Sequence, residues 1–335
     1  VRGVMLGLGV PEASVRMAEI STRRPGWERG AYSEENLALA DRASAFWFYG
    51  GNQNAIMDAL QDEQGADTPF LARLKQRHAE GAVLGGSSAG AAIMSNPMIG
   101  GGSSFGALAL PVASKPIDTE LSDPLYLRQG LGFFSRGLVD QHFDVRARSA
   151  RLLRAMSLDT QRRTWGFGVS EDTAMVWSRN SVVEVAGSAG VFVFDTRDAR
   201  WQKMNNRFGV TDVVLHYLTA GDSMDLGSLR FDFAGKTAQD KAESFLAASR
   251  PVASGVLSPY NDLASFIRTM LLDNAWESLF PEEGTEWKHA KSFLVGFNEH
   301  GEKQEWEIRC RRKLEHSALY GLQSFNNVRM DIIPI

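Results

Sequence analysis

The sequence predicts an α/β fold, a mostly parallel sheet sandwiched by helices and followed by a C-terminal α+β extension. Three observations carry that expectation. Short apolar runs alternate with amphipathic stretches through the first half of the chain, as strand–helix–strand units do. Polar or glycine-rich loops recur just past the apolar runs, where open parallel sheets hold their ligands. Beyond residue 230 the alternation gives way to two helical stretches and a strand pair joined by a polar turn. The expected domains are therefore a core, residues 1–230, and an extension, 231–335, packed on it or standing as a small second domain.

Val15 to Ile20 and Ala45 to Tyr49 read as strands, with a helix from Glu34 to Ala43 between them. Asn54 to Gln61 reads as a helix, and Thr68 caps another carrying Phe70, Leu71, Leu74 and His78. Gly81 to Leu84 is a short strand, and a helix begins at Ala89. Pro97 to Pro124 reads as a long loop. Regular structure resumes with a strand at Gly137 to Asp140 and a helix from Asp144 to Ala155. Strands follow at Trp165 to Ser170, Ala174 to Trp177, Val182 to Ala186, Val191 to Phe194 and Val210 to Leu218. The extension offers helices at Ala238 to Ala248 and Asp262 to Asn274, then a hairpin, Ser292 to Phe297 with Glu305 to Arg311. Its last strand, Val328 to Ile333, stops at Pro334.

Apolar residues make up 44% and charged residues 23% of the 335, a globular composition. A net charge of −4 gives no reason to expect nucleic acid or an anionic membrane as partner. No apolar run is long enough for a transmembrane helix. The single cysteine, Cys310, has no partner for a disulfide and reads as a small, partly buried side chain. The six histidines lack ligand spacing, so neither a metal nor another cofactor is expected. The chain opens on Val1 rather than Met. The expectation is that a signal peptide or opening strand is missing, which leaves cytoplasmic and secreted locations both open, with the cytoplasm favoured.

Gly86-Ser87-Ser88-Ala89-Gly90 fits G-x-S-x-G, in which a tight strand-to-helix turn lifts a serine out of the sheet. Gly102-Ser103-Ser104-Phe105-Gly106 fits it too. Context favours Ser88, which lies between an apolar strand and an apolar helix, whereas Ser104 falls in the Gly/Ser loop. Gly50-Gly51-Asn52-Gln53 and Asp140-Gln141-His142 each follow a strand, so His142 is in place to act as general base for Ser88. Glu171 or Asp172, past the next strand, suits the acid that fixes the imidazole tautomer. Arg146 and Arg148 could hold a substrate carboxylate. Arg148, Arg151 and Arg154 share a helical face, with Arg154 read as solvated.

Taken together, Gly50-Gly51-Asn52-Gln53, Gly86 to Ala91, Asp140-Gln141-His142-Phe143 and Gly168 to Ala174 resemble the cyanophycinases, serine peptidases related to aspartyl dipeptidase. The resemblance spans roughly residues 5–228, and Asp140 to Leu152 is its most specific part. It implies a Ser88–His142–Glu171 triad and an oxyanion hole from the N–H groups of Gly51 and Ala89. It also implies a substrate pocket using Gln53, Asp140, Gln141, Arg146, Arg148 and Arg151. The implied fold is similar to class I glutamine amidotransferases, and the implied assembly is a homodimer. The implied reaction cuts cyanophycin, a poly-aspartate carrying arginine on each β-carboxyl, into β-Asp-Arg dipeptides. The chain departs from the family in the long stretch Ala107 to Tyr126 and in the extension after Arg230. Asp118, Glu120 and Asp123 are candidates by charge for holding the substrate arginine.

An α/β-hydrolase esterase places its acid before its histidine, and here the good acid follows it. A glutamine amidotransferase would need cysteine at position 88. An aspartyl dipeptidase acting on α-Asp-X peptides is the close alternative, and a silent binding module is the alternative from another class.

Overall fold

The structure is a computed structural model that describes residues 2–117, 123–178, 181–238, 263–267, 287–297, 302–313, 318–320 and 324–335. The chain divides into two compact units, Val1–Met94 and Ser95–Ile335.

The first unit opens with helix α1 (Arg2–Gly7), followed by α2 (Glu34–Arg42), β1 (Ala45–Phe48), α3 (Gln53–Leu60), α4 (Pro69–Ala79), β2 (Val83–Gly86) and α5 (Ala89–Ala92). Local chemistry sets these boundaries. Asn52 caps α3 by accepting from the Ala55 N–H, and Thr68 caps α4 ahead of Pro69. Phe70, Leu71 and Leu74 then face inward along α4. Strands β1 and β2 pair in parallel, Phe46 opposite Leu84. The strand expected at Val15 to Ile20 does not form. The Asn36 side chain bonds both the N–H and the C=O of Glu19, taking the pairing a neighbouring strand would have made.

The second unit carries β3 (Met98–Gly101), α6 (Ser104–Ala109), β4 (Tyr126–Arg128), β5 (Leu138–Gln141), α7 (Ser149–Ser157) and β6 (Trp165–Val169). Then come β7 (Thr173–Trp177), β8 (Val182–Gly187), β9 (Gly190–Asp195), β10 (Arg200–Met204), β11 (Arg207–Thr219), β12 (Ser223–Asp225) and β13 (Arg230–Asp232). Last are α8 (Leu263–Phe266), β14 (Trp287–Phe297), β15 (Lys303–Lys313), β16 (Ala318–Tyr320) and β17 (Ser324–Pro334). The expected loop at Pro97 to Pro124 thus contains β3 and α6. Ser103 caps α6 through the Gly106 N–H, and a Cβ at Gly106 would meet the Asp123 carbonyl oxygen at 1.8 Å. These small residues serve close packing there. The helix expected from Asp144 starts only at Ser149, because His142 and Ala147 take positive φ, 47° and 50°, in the preceding turn.

A nine-stranded sheet runs β14-β15-β17-β11-β9-β6-β5, with β10 on β11 and β16 on β17. The expectation of a mostly parallel sheet is corrected here. Among the described ladders, β1–β2 and β5–β6 are parallel and the others antiparallel. Short connections such as that from β10 to β11 leave no room for a crossover helix, so the chain turns back on itself. The α/β class holds.

Strands β14, β15 and β17 lie beyond residue 230 and are part of this sheet. Trp306, Ile308, Phe325, Val328 and Met330 are buried in the same cluster as Phe192, Phe194 and Leu215. The Trp306 Nε1–H donates to the Phe208 carbonyl at 2.9 Å, so this large side chain is buried with its one donor satisfied. Cys310 is fully buried rather than partly, and burial followed by the Asp331 charge pushes its thiol pKa up. Of the two expected helices in the extension, residues 239–262 and 268–274 lie outside the described residues. The remaining stretch forms α8, whose Leu263 N–H donates to Asp144 at 3.1 Å.

Candidate active site

In the first unit Ser88 stands between β2 and α5 with φ 53° and ψ −115°, a conformation that L-residues rarely adopt. The flanking glycines are steric necessities. A Cβ at Gly86 would lie 2.3 Å from the Gly90 carbonyl oxygen, and one at Gly90 would lie 2.3 Å from that of Phe48. The turn is tied to β1 by the Ser87 N–H, which donates to the Phe48 carbonyl at 3.1 Å. Gly50 brings the next loop against the serine, since a Cβ there would meet the Ser88 Cβ at 3.1 Å. Gly51 follows at φ 128° with open space about it. Neither the Gly51 N–H nor the Ala89 N–H donates to a described residue. Ala89 is the first residue of α5, where unpaired donors gather positive potential. Gln53 starts α3 in the same loop.

In the second unit the parallel pair β5 and β6 sets two side chains beside each other. His142 follows β5, Glu171 follows β6, and the His142 Nδ1 is hydrogen-bonded to the Glu171 Oε1. With Nδ1–H donated to the carboxylate, Nε2 is the basic nitrogen of the ring. Both strand ends are tightly turned: His142 has φ 47° and Asp172, next to Glu171, also has φ 47°. Of the two acids expected here, it is Glu171 that faces the imidazole. Thr173 fixes this turn, its hydroxyl donating to the Glu171 carbonyl at 2.8 Å and accepting from the Ala189 N–H at 3.2 Å.

Asp140, at 1% exposure, is gripped by Arg151 through Nε and Nη2 at 2.7 and 2.6 Å. Burial alone would raise the Asp140 pKa, but the Arg151 charge and hydrogen bonds hold it below the ordinary carboxylate value. Arg151 Nη1 donates to the Gly102 carbonyl at 2.6 Å, so its whole fork is committed within the protein. Arg148 donates to the Gln141 carbonyl and lies 3.6 Å from Asp140. Burial, then the Arg151 charge, lowers the Arg148 pKa to about 9, which leaves it a cation at neutral pH. One carboxylate thus serves a buried arginine, Arg151, and a half-buried one, Arg148, with Arg146 exposed nearby in sequence, and the excess is positive. The Gln141 Oε1 and the Ser170 Oγ are buried with no hydrogen-bond partner among the described residues.

Ser104 is excluded by its place in the fold. It starts α6, is 4% exposed, and donates to the Ala147 carbonyl. Arg154 is half-buried, its guanidinium carbon 4.7 Å from the Phe208 ring centre, which corrects the solvated face expected of it. Asp118 and Glu120 lie outside the described residues, and the Asp123 carbonyl accepts from the Ser103 N–H at 2.9 Å. Sequence reasoning includes Thr173 and Phe143 in its motifs but assigns neither a role. Phe143 is buried against Phe192 and Phe194 and anchors the loop that carries His142. Gly168 was the signal available, because a Cβ there would strike the Phe143 ring at 2.4 Å.

No family model matches the chain. Among curated proteins it is similar to the cyanophycinase of Synechococcus elongatus, 32% identical over 63% of this chain and 62% of that protein. It is 38% identical to the cyanophycinase of Geminocystis herdmanii over 46% of this chain and 50% of the relative. For the cyanophycinase of a Nostoc species the figures are 30%, 58% and 61%. The chain therefore spans about half to three fifths of the length of these relatives, and the likeness read from its motifs agrees with them. Among solved structures it is similar to a peptidase from an acI-B1 Actinobacterium, with a TM-score of 0.41 and 20% identity over 59% of this chain and 66% of that one.

Proposed function

We propose that the protein is a serine peptidase that degrades cyanophycin to β-Asp-Arg dipeptides through Ser88, His142 and Glu171. The observation that carries this reading is the His142–Glu171 hydrogen bond at adjacent parallel strand ends, with His142 inside the run Asp140 to Leu152 that most resembles the cyanophycinases. The strained backbone of Ser88 supports the nucleophile. In this reaction the His142 Nε2 accepts the Ser88 proton as Oγ attacks the carbonyl of an aspartyl peptide bond. The N–H groups of Gly51 and Ala89 donate to the oxyanion that develops. His142 then passes its proton to the leaving amine, and the C–N bond breaks. Water, deprotonated by His142, releases the acyl group from Ser88. Glu171 keeps Nδ1 protonated and stabilises the imidazolium throughout.

Substrate selection rests on charge. Arg146 and Arg148 supply the positive excess for a free carboxylate, while Arg151 and Asp140 brace the strand end from which Gln141 and His142 project. The unpartnered Gln141 Oε1 suits a donor on the substrate, and Gln53 belongs to the same proposed pocket. The reading extends to a class I glutamine amidotransferase-like fold and to a homodimer, which light scattering of the purified chain would check.

The test is incubation with cyanophycin, α-Asp-X dipeptides and β-Asp-Arg, with mass analysis of the products. β-Asp-Arg from the polymer supports the proposal. Robust α-Asp-X cleavage with no attack on the polymer would assign the chain to aspartyl dipeptidases instead. Ser88→Ala should abolish turnover and leave the circular dichroism spectrum unchanged, and a partial loss would place the nucleophile elsewhere.

A further inference from the structure

A cavity of about 310 Å3 opens at the opposite end of β6 from Glu171, lined in part by Trp165, Arg197, His216, Phe231 and Arg329. Trp165 begins β6, so roughly 13 Å of strand separates this cavity from the end that carries Glu171. None of the residues proposed for catalysis lines it. Two aromatic side chains form apolar walls, and the polar groups are arranged unevenly between donors and acceptors.

His216 is the central group. It projects from β11, is 3% exposed, and packs on Phe231 with ring centres 4.5 Å apart and planes tilted by 31°. Its Nδ1 accepts from the Asn327 N–H at 3.3 Å, which places the ring proton on Nε2. That Nε2–H donates to no described residue, although the residue lines the cavity. Burial holds the ring neutral by lowering its pKa to about 4. Arg197 chelates Asp195 through Nε and Nη2, and Arg329 donates to Asp198 and to the Asp212 carbonyl. Asp195 is thereby fully engaged, and Asp198 is paired with Arg329 at 3.2 Å. The Arg197 Nη1 and the Arg329 Nε donate to no described residue. Three donors, two of them cationic, thus lack acceptors around one cavity walled by Trp165 and Phe231.

We propose that this cavity binds a small carboxylate-bearing molecule, which accepts a hydrogen bond from the His216 Nε2–H and is paired by Arg197 and Arg329. The aromatic walls fit a short apolar linker better than a naked inorganic ion. A guanidinium or ammonium ligand is disfavoured, since the buried Asp195 is chelated by Arg197 and Asp198 already faces Arg329. The proposal stands apart from the peptidase reading and survives or fails without it.

Calorimetric titration of the full chain with succinate, and separately with succinamide and agmatine, tests it. Saturable binding of succinate alone is expected. Arg329→Gln should weaken it about tenfold or more, as loss of a charge-assisted bond does. His216→Gln should weaken it, while Arg148→Gln should leave succinate binding within about twofold. Absence of saturable succinate binding to the folded wild-type chain would overturn the proposal. So would binding lost in Arg148→Gln but kept in Arg329→Gln, which would place the anion among the other arginines, or a preference for agmatine.

Discussion

Ser88 holds a backbone conformation that costs about 1–3 kcal/mol at a non-glycine residue, and two residues to either side stand Gly86 and Gly90, where a Cβ would strike backbone. His142 and Asp172 carry the same kind of strain at the next two strand ends. Such positions persist only where the surroundings over-determine them, and around His142 and Asp172 it is Phe143, Thr173 and the Asp140–Arg151 pair that do so. Glu171 is more exposed than an enclosed triad acid, with 44% of its side chain accessible, so water can replace part of its effect. Glu171→Gln is expected to lower kcat about 10²-fold with KM little changed, measured on cyanophycin. A loss under about threefold would remove Glu171 from the mechanism. His216 makes a second residue-scale prediction. The folded chain keeps it neutral down to about pH 4, whereas the unfolded chain takes a proton near 6.5. Its stabilising contribution is therefore fully present above about pH 6.5 and is lost as pH falls toward 4, by about 3 kcal/mol. Urea midpoints measured across that window should fall for the wild type and flatten for His216→Gln.

Elements were legible where a local rule fixed them. The Asn52 and Thr68 caps, the glycines of the Ser88 turn and the alternation along β15 all act within a few residues, so the sequence pattern reports them directly. Elements went astray where a distant group decided the outcome. Asn36 replaces a strand partner for Glu19, and the helix around Gly106 has no local signature because it depends on packing against Asp123. The turn of residues 143–147 delays α7 because Phe143 must reach the cluster with Phe192 and Phe194. The elbow offers a direct test at this scale. Gly90→Ala would drive a Cβ into the Phe48 carbonyl, backbone that yields only by opening the β1–α5 contact. Its expected cost is about 1–3 kcal/mol in urea unfolding together with loss of activity. An unchanged midpoint would show that the turn relaxes freely.

Across the second unit, the sheet continues through residues that the sequence sets apart as an extension. Strands β15 and β17 pair with each other, and β17 pairs with β11 from Val210 to Tyr217. A chain ending at residue 230 would leave the β11 edge open and Phe208, Val213 and Leu215 uncovered. Such a fragment is expected to aggregate or to bind a hydrophobic dye, and a soluble fragment with a cooperative unfolding transition would show the core to stand alone. The sequence by itself determined the α/β class, the strand-end loops and the identity of Ser88, His142 and Glu171 as candidates, because each follows from residue type and short-range spacing. Only the tertiary structure decided that Glu171 rather than Asp172 meets the imidazole, that Arg151 is spent on Asp140 and Gly102, and that the sheet is largely antiparallel. Those outcomes depend on which strand lies beside which, a matter of pairing between segments far apart in the chain.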